Sequence, residues 1–297
     1  MSEAEGFDPE WLALREPFDA LARSERLAAR LVAALPARPR LLDLGAGTGS
    51  LLRWLAPRIG RAQAWTLVDA DRAMVEEAFD TIADRAEAIG FRVTFPSRRT
   101  LLVHAPGGVW RVEGVIADLA EAPRNLPLAQ ADAVLSSALC DLVSEPWLER
   151  MAATLSVPFY AALCVDGRDR FSPPHRADAA IAAAFRRDQG RDKGFGPALG
   201  PRAPEAIARL FAARGFTVES APSDWVVPAR GHPSLRGVAE AFLTELVLGH
   251  EAAAARQHRG RRGLLEAWSQ ARLRQIEARI LTARIGHRDL LALPPGH

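Results

Sequence analysis

A run of glycines is the clearest sign of ligand binding in the sequence. It reads Asp43-Leu44-Gly45-Ala46-Gly47-Thr48-Gly49 and directly follows an apolar segment. Glycines let a chain turn tightly from a strand into a helix, and they let the backbone approach a ligand that a Cβ atom would push away. In the dinucleotide fingerprint the third glycine follows the second by three positions, where this chain has Ser50 instead. The run therefore indicates a ligand-binding turn that departs from the dinucleotide pattern.

Acidic residues stand at the ends of the next two apolar segments. Asp69 ends AWTLVD, and Asp118 stands inside IADLAE. An acid at the end of the second strand of such a fold can accept hydrogen bonds from both ribose hydroxyls of a nucleoside. The alternative for Asp69 is a cap on the following helix, and the alternative for Asp118 is a plain loop position.

The segments around these residues alternate in type. Apolar residues recur at helical spacing through 8–38, where prolines at 36 and 39 end the helix. Short apolar strands then alternate with amphipathic helices through 39–230, a rhythm that predicts a parallel sheet covered on both faces. We therefore expect an α/β fold with a seven-stranded, mostly parallel, doubly wound sheet.

Three additions interrupt or extend this rhythm. Two β-rich runs around Pro106-Gly107-Gly108 predict a hairpin inserted at 91–113. Alanine- and leucine-rich segments predict a helical insert or lid at 234–283, and 284–294 reads as a last edge strand closed by prolines. We interpret 1–297 as a single domain.

The acid followed by Gly45-Ala46-Gly47-Thr48-Gly49 resembles motif I of the class I S-adenosylmethionine-dependent methyltransferases. VDADRAMVEEA resembles the segment after the second strand of that family, and IGHRDLLALP resembles its antiparallel last strand. The leading helix resembles the family's N-terminal cap over the cofactor. The resemblance extends over about 10–230 and resumes at 280. It implies S-adenosyl-L-methionine as cofactor, although another nucleotide could use the same glycines.

The resemblance also implies which residues hold the cofactor. Asp69 would accept the ribose hydroxyls, and Asp118, with Leu119 beside it, would reach the adenine amine. Arg23 is a candidate partner of the methionine carboxylate, with a solvated helix face as the alternative for Arg15 and Arg23. The full predicted cofactor set is Asp43, Gly45, Ala46, Gly47, Gly49, Asp69, Ala70, Asp118, Leu119, Ser136 and Arg23.

The acceptor is expected beyond the carboxyl ends of the fourth and fifth strands, where open α/β sheets bind ligands. Asp141 follows the fourth strand and is the first candidate for a base or an acceptor anchor; its alternative is the first turn of the next helix. His175 follows Pro173-Pro174 and ionises near neutral pH, so it is the second catalytic candidate, or else an exposed loop residue.

Three more residues are candidates for contacts with the acceptor. Lys193 is the only lysine of the chain and lies between glycines, so it could meet an anionic acceptor; a flexible surface loop is the alternative. Phe171 and Phe195 could line the pocket or belong to the core. The predicted substrate set is Asp141, Phe171, His175, Lys193 and Phe195.

The charge balance and the apolar content of the sequence limit the partners that we expect for this protein. Lys and Arg total 38 against 36 Asp and Glu, which argues against a dedicated nucleic-acid binder. The acidic start and the lack of a long apolar run predict a cytoplasmic protein without a membrane segment. Carboxylates near Asp141 and Asp166 show no metal-ligand spacing, so no metal is predicted.

We therefore expect methyl transfer to an oxygen or nitrogen of a small molecule. The chain lacks the Asn-Pro-Pro-aromatic motif of many nucleic-acid and protein amino-methyltransferases and has Ser136-Ser137-Ala138-Leu139 in its place. The alternatives are an RNA or protein methyltransferase, for which the basic cluster at 256–262 would be the binding patch, a non-catalytic cofactor-binding protein, and a dinucleotide-dependent oxidoreductase. The oligomeric state stays open.

Overall fold

A computed structural model describes residues 8–229, 235–257 and 262–296. Its strands are, in chain order, β1 (Arg40–Leu44), β2 (Gln63–Asp69), β3 (Arg92–Ser97), β4 (Thr100–Ala105), β5 (Gly108–Ile116), β6 (Ala133–Ser137), β7 (Phe159–Val165), β8 (Arg170–Ser172), β9 (Thr217–Pro222), β10 (Trp225–Val227), β11 (Thr282–Ile285) and β12 (His287–Leu293). Its α-helices are α1 (Pro9–Ala22), α2 (Glu25–Ala34), α3 (Ser50–Ile59), α4 (Arg72–Ala88), α5 (Glu145–Thr154), α6 (Asp178–Gln189), α7 (Ala203–Ala212), α8 (Arg236–Gln257) and α9 (Arg262–Glu277).

Nine strands form the main sheet, in the order β3-β4-β5-β2-β1-β6-β7-β12-β9. The central strands β5, β2, β1, β6 and β7 are parallel, and β12 is antiparallel to both of its neighbours. The predicted α/β class with a mostly parallel sheet and an antiparallel last strand is thus confirmed. Among the described residues the sheet has nine strands rather than seven, because the hairpin of β3 and β4 joins it through the pairing of β4 with β5.

The predicted hairpin boundary at 91–113 is wrong for the same reason. The run at 108–113 continues without a break into the third parallel strand, since β5 pairs with β2 along its length from Trp110 to Ile116. The hairpin that is added to the sheet is therefore β3 and β4. Its alternating burial, buried at Leu101 and Val103, turns one face toward the core.

The predicted last strand also differs from the observed one. Residues Thr282–Ile285 form β11, which belongs to a second sheet of three strands in the order β10-β11-β8. Only β12 enters the main sheet, and it lies between β7 and β9, so that β9 and not the last strand forms the edge. Burial of every residue from Asp289 to Leu293 fits this internal position.

The N-terminal cap at 8–38 consists of two helices rather than one. Asp8 and Pro9 begin α1, and the Asp8 side chain accepts a hydrogen bond from the Glu10 N–H. The chain then leaves helical geometry at Arg23, and Ser24 caps α2 by accepting from the Leu27 N–H at 3.3 Å. The backbone N–H of Ser24 donates to Asp289 of β12 at 2.8 Å, which fixes the break against the sheet.

Helices α6, α8 and α9 pack with β8, β10 and β11 into what we call the helical lobe. Its apolar core joins α1 through Phe18, which stacks on Phe242 at 4.2 Å between ring centroids. The predicted helical insert at 234–283 corresponds to α8 and α9. Of the break predicted between these helices at 259–263, residues 259–261 lie outside the described residues, and Arg262 and Gly263 belong to the start of α9. Within the described ranges no helix is both long and apolar enough to cross a membrane.

Candidate functional site

The glycine turn connects β1 to α3 at the carboxyl edge of the sheet. Gly45, Gly47 and Gly49 all have positive φ values, of 64°, 51° and 79°, which residues with a Cβ atom rarely adopt. The Gly45 N–H donates to the carbonyl of Val68 in β2 at 2.9 Å, so the turn is held against the neighbouring strand. Leu12 of α1 covers the turn, since its Cδ1 lies 3.2 Å from the position that a Cβ on Gly47 would take.

Asp69 fastens the same turn from the end of β2. Its Oδ2 accepts a hydrogen bond from the Gly47 N–H at 2.9 Å, and its Oδ1 accepts from the Asp71 N–H at 3.1 Å. Burial raises the pKa of this carboxyl above its usual value, although these backbone donors oppose the rise. The cap on α4 is Asp71, whose side chain accepts from the Ala73 N–H, so Asp69 does not serve as the helix cap.

Arg23 is buried at the break between α1 and α2 rather than on a solvated face. Its guanidinium donates to Ser50 Oγ at 3.1 Å and to Ser137 Oγ at 3.0 Å, while its Nε has no partner. The side chain therefore ties the cap to the first turn of α3 and to the end of β6. Sequence reasoning missed both serines, because nothing local in the sequence indicates that they meet this arginine.

Asp43 is the most unusual group in the site. Its side chain lies at 1% exposure inside β1, and neither carboxyl oxygen has a hydrogen-bond partner. Burial raises its pKa to about 8, with Arg23 lowering and Asp69 raising it by smaller amounts. Buried polar groups in proteins are nearly always paired, so a carboxyl that the fold leaves without a donor points to a ligand or an ordered water.

The other predicted cofactor residues lie around this turn with local roles. Asp118 is exposed and caps a short 3-10 turn at Leu119–Glu121 by accepting from the Ala120 N–H at 2.8 Å. Leu119 is buried, and its carbonyl accepts from the Trp147 indole. Ser136 is buried with its Oγ 3.4 Å from Cys140 Sγ, Ala46 is buried in the turn, and Ala70 is exposed.

Asp141 lies beyond β6, where the loop at 190–200 returns to meet it. The Gly200 N–H donates to the Asp141 carbonyl at 2.8 Å, and Phe195 packs edge-on against Trp147 at 6.2 Å. The Asp141 Oδ1 is buried without a partner. Burial raises the pKa of Asp141, and positive charge on Lys193, His287 and Arg15 opposes the rise. The structure thus places the loop that carries Lys193 and Phe195 next to Asp141, and their contact with an acceptor stays a prediction.

His287 is a site neighbour that sequence reasoning missed. Its Nδ1 lies 3.0 Å from the Ile285 carbonyl, which can only accept, so Nδ1 carries the proton and Nε2 keeps its lone pair in the neutral ring. The ring packs on Trp225 at 4.4 Å. Burial, and secondarily Arg15, lowers the pKa of His287. The only available signal was a histidine at the start of the last strand, whose position depends on the sheet order.

His175 and Phe171 occupy a different place. The His175 N–H donates to Asp178 Oδ2 at 2.7 Å, and its Nδ1 accepts from the Ala177 N–H at 3.2 Å, so this residue organises the start of α6. Phe171 packs against Trp268 at 5.6 Å inside the helical lobe. Neither residue contacts the glycine turn or Asp141 among the described contacts. The described residues contain no group of three or more His, Cys, Asp or Glu side chains arranged to hold a metal ion.

Comparison with known proteins gives one short sequence match. No family model matches the chain. Among curated proteins, the biotin biosynthesis bifunctional protein BioCD of Bordetella avium (strain 197N) is 52% identical over 56 residues. These residues make up 18% of this chain and 12% of that protein, so the chain spans only a small part of the relative it matches.

Several solved structures resemble the chain over most of its length. A geranyl diphosphate C-methyltransferase from Streptomyces coelicolor A3(2) is 12% identical, with 99% of this chain and 89% of that chain covered and a TM-score of 0.43. A putative sarcosine dimethylglycine methyltransferase from Galdieria sulphuraria is 12% identical, with 99% and 91% covered and a TM-score of 0.41. A cyclopropane synthase from Mycobacterium tuberculosis is 11% identical, with 90% and 83% covered and a TM-score of 0.41. Because these values are low, the fold of this chain is defined by its own strand order.

Proposed function

We propose that this protein is a class I S-adenosylmethionine-dependent methyltransferase that methylates an oxygen or nitrogen of a small molecule. The observation that carries the proposal is the buried Arg23 and Asp43 pair beside the glycine turn, with unpaired atoms on both side chains. A guanidinium and a carboxyl with free hydrogen-bonding capacity complement the carboxylate and ammonium of an amino acid. The methionine end of the cofactor has those two groups.

The remaining cofactor contacts follow from the same edge of the sheet. Asp69 would accept the ribose hydroxyls, and its bond to the Gly47 N–H already fixes its orientation. The turn itself leaves room for the ligand because its glycines carry no side chain. We further propose that Asp118 and Leu119 hold the adenine. Leu12 and the rest of α1 would cover the bound cofactor.

The cofactor supplies an electrophilic methyl group on a sulfonium, which becomes a neutral thioether once the methyl has left. For that transfer the protein must exclude water and hold an acceptor lone pair in line with the methyl, and orientation of this kind can lower the barrier by about 7–11 kcal/mol. An acceptor O–H or N–H group also loses a proton. We propose that Asp141 anchors the acceptor and takes up that proton, because its pKa is raised and its Oδ1 lacks a partner.

His287 and Lys193 complete the acceptor side of this proposal. The neutral ring of His287 keeps a lone pair at Nε2 and can relay the proton away from Asp141. Lys193, on an exposed loop, would attract an acceptor that carries negative charge. His175 has no part in this proposal, because its described contacts belong to the start of α6.

Binding measurements test the cofactor before any acceptor is known. We expect S-adenosylhomocysteine to bind wild-type protein in calorimetry and Arg23→Gln to weaken that binding about tenfold or more. Arg58→Gln is the matched control, since Arg58 packs on the same Trp54 ring as Arg23, at 4.1 Å, but is partly exposed. If the protein binds NAD(H) and not S-adenosylhomocysteine, the result would contradict the methyltransferase and support an oxidoreductase.

Methyl transfer identifies the acceptor class. Purified protein is incubated with methyl-labelled S-adenosylmethionine and with small-molecule, RNA and protein fractions of a cell extract. Label in the small-molecule fraction alone supports the proposal, and it must fall in Asp141→Asn. Label in RNA or protein instead would contradict the small-molecule acceptor while leaving the cofactor assignment intact.

A further inference from the structure

The helical lobe contains a cavity that the proposed methyl transfer does not use. Its volume is about 580 Å³, within the range of roughly 300–1,000 Å³ that is usual for small-molecule sites. Residues of β8, α6, α8 and α9 line it, and no predicted cofactor residue is among them. Asp141, Lys193 and His287 are also absent from its walls. The cavity is therefore separate from the site at the sheet edge.

Two aromatic side chains form an apolar wall of this cavity. Phe171 and Trp268 stand edge to face at 5.6 Å between ring centroids and at 81°, and both are buried. Ile181 and neighbouring alanines of α6 extend the apolar surface. A flat ring bound there would gain aromatic contacts in addition to burial of its surface.

One wall contains two buried polar atoms without partners. His250 is 2% exposed, and its Nδ1 lies 2.7 Å from the Leu246 carbonyl, so Nδ1 carries the proton and Nε2 presents a lone pair in the neutral ring. Asp169 Oδ2 lies 3.5 Å from this Nε2, too far for a good hydrogen bond, and both atoms lack partners. Two neighbouring acceptors are best satisfied by one group with two N–H donors, which an amine supplies.

Two arginines among the lining residues favour an anion. Asp178 is already neutralised by the buried Arg272 at 2.5 Å and accepts from the Trp268 indole at 2.8 Å. Arg170 and Arg186 also line the cavity, and neither contacts a carboxylate among the described residues. A ligand carboxylate would therefore meet two cations, and arginine binds carboxylates in a two-pronged geometry.

We propose that this cavity is a second ligand site, for a flat aromatic molecule that carries an amine at one end and a carboxylate at the other. The ring packs against the wall formed by Phe171 and Trp268, the amine donates to His250 Nε2 and Asp169 Oδ2, and the carboxylate faces Arg170 and Arg186. 4-Aminobenzoate has this arrangement of groups and serves as the probe. Benzoate and aniline each lack one of its two polar ends.

Calorimetric titration of the full-length protein with the three probes tests the site without any cofactor. We expect 4-aminobenzoate to bind at least tenfold more tightly than either benzoate or aniline. Arg186→Gln should weaken 4-aminobenzoate and benzoate by a similar factor of about ten and leave aniline unchanged. Because Arg186 is exposed, this variant will fold. Arg111→Gln, an exposed arginine of β5, is its control.

The second variant separates the amine contact from the carboxylate contact. His250→Gln should weaken 4-aminobenzoate about tenfold but change benzoate less than twofold, with His104→Gln of β4 as control. The site assignment is overturned if 4-aminobenzoate shows no binding at millimolar concentration, or if neither cavity variant alters its affinity. Equal affinities for 4-aminobenzoate and benzoate would mean that an ordered water, and not a ligand amine, satisfies His250 and Asp169.

Discussion

Two aspartates are buried equally deeply in the main sheet, yet their surroundings differ completely. Asp289 in β12 accepts from the Ser24 N–H at 2.8 Å, from the Leu163 N–H at 2.8 Å and from the Tyr160 hydroxyl at 2.9 Å. Asp43 in β1 accepts from no donor. The fold itself satisfies the first carboxylate, so its role is structural. The Asp43 carboxyl has no donor among the described residues, as expected for a group that binds a ligand.

Removing the charge of Asp289 should have the largest effect on stability. Asp289→Asn replaces one of the two carboxyl oxygens with an NH₂ group, which then faces either the Leu163 N–H or the Ser24 N–H and the Tyr160 hydroxyl, all of them donors. Leu163 also has a left-handed φ of 55° that its hydrogen bond helps to hold. We expect the free energy of unfolding to fall by about 3 kcal/mol in urea denaturation. Asp80→Asn on the exposed face of α4 is the control and should change it by less than about 0.5 kcal/mol. If the free energy of unfolding falls by less than about 1 kcal/mol, Asp289 does not have the structural role that distinguishes it from Asp43.

The same change at Asp43 should act on binding rather than on folding. Asp43→Asn replaces a buried carboxyl that accepts no hydrogen bond from the described residues, so we expect the unfolding free energy to stay the same or to rise. Affinity for S-adenosylhomocysteine should fall about 10- to 100-fold, the worth of a hydrogen bond to a charged group. Calorimetric titration of Asp43→Asn and Asp289→Asn with S-adenosylhomocysteine measures this loss of affinity. Unchanged affinity would remove Asp43 from the cofactor site.

Glycines of the turn can be compared with a glycine outside it. Gly47 and Gly60 both have positive φ, at 51° and 64°, so an alanine at either position should cost about 1 kcal/mol in stability. Gly60 only ends α3, whereas a Cβ at Gly47 lies 3.2 Å from Leu12 where the cap meets the turn. We expect Gly47→Ala to weaken S-adenosylhomocysteine binding about tenfold, and Gly60→Ala to leave it unchanged. Equal affinities in the two variants would place the ligand elsewhere.

The raised pKa of Asp43 predicts the most specific effect, because that effect depends on pH. The folded carboxyl holds its proton up to about pH 8, whereas the unfolded one loses it near 3.8, so its contribution to stability declines as pH rises from about 4 to 8. Asp43→Asn lacks this contribution, and the difference in unfolding free energy between variant and wild type should grow across that range. If the bound cofactor needs the carboxylate, binding at pH 7 also releases a proton, which calorimetry in buffers of different ionisation enthalpy measures. A pH-independent difference would mean that Asp43 is ionised in the apo protein.

Local features of the site could be predicted from the sequence, because each depends on a few consecutive residues. The glycine turn, the acid at Asp69 and the alternation of strands and helices belong to this group. The position of His287 beside Asp141 could not be predicted, because it depends on β12 inserting between β7 and β9. The break at Arg23 likewise depends on a hydrogen bond from Ser24 to a residue 265 positions away.

Continuity of the third parallel strand was missed for a similar reason. The sequence GGVWRVEG has the turn residues and alternation of a hairpin arm, and only its pairing with β2 shows that the arm and the core strand are one element. Phe171 and His175 were assigned to the acceptor because they follow the fifth strand. Both residues lie instead in the helical lobe, where Phe171 is part of the apolar core.

The contact of Leu12 with the glycine turn has a kinetic consequence. In the proposed site the cofactor lies beneath α1, and α1 is held to the helical lobe by the hydrogen bond from the Trp225 indole to Asp19 at 2.8 Å. Product escape would then require that bond and the Phe18–Phe242 stack to loosen. With the cofactor placed as we propose, the lifting of α1 becomes a step that can limit turnover in place of methyl transfer.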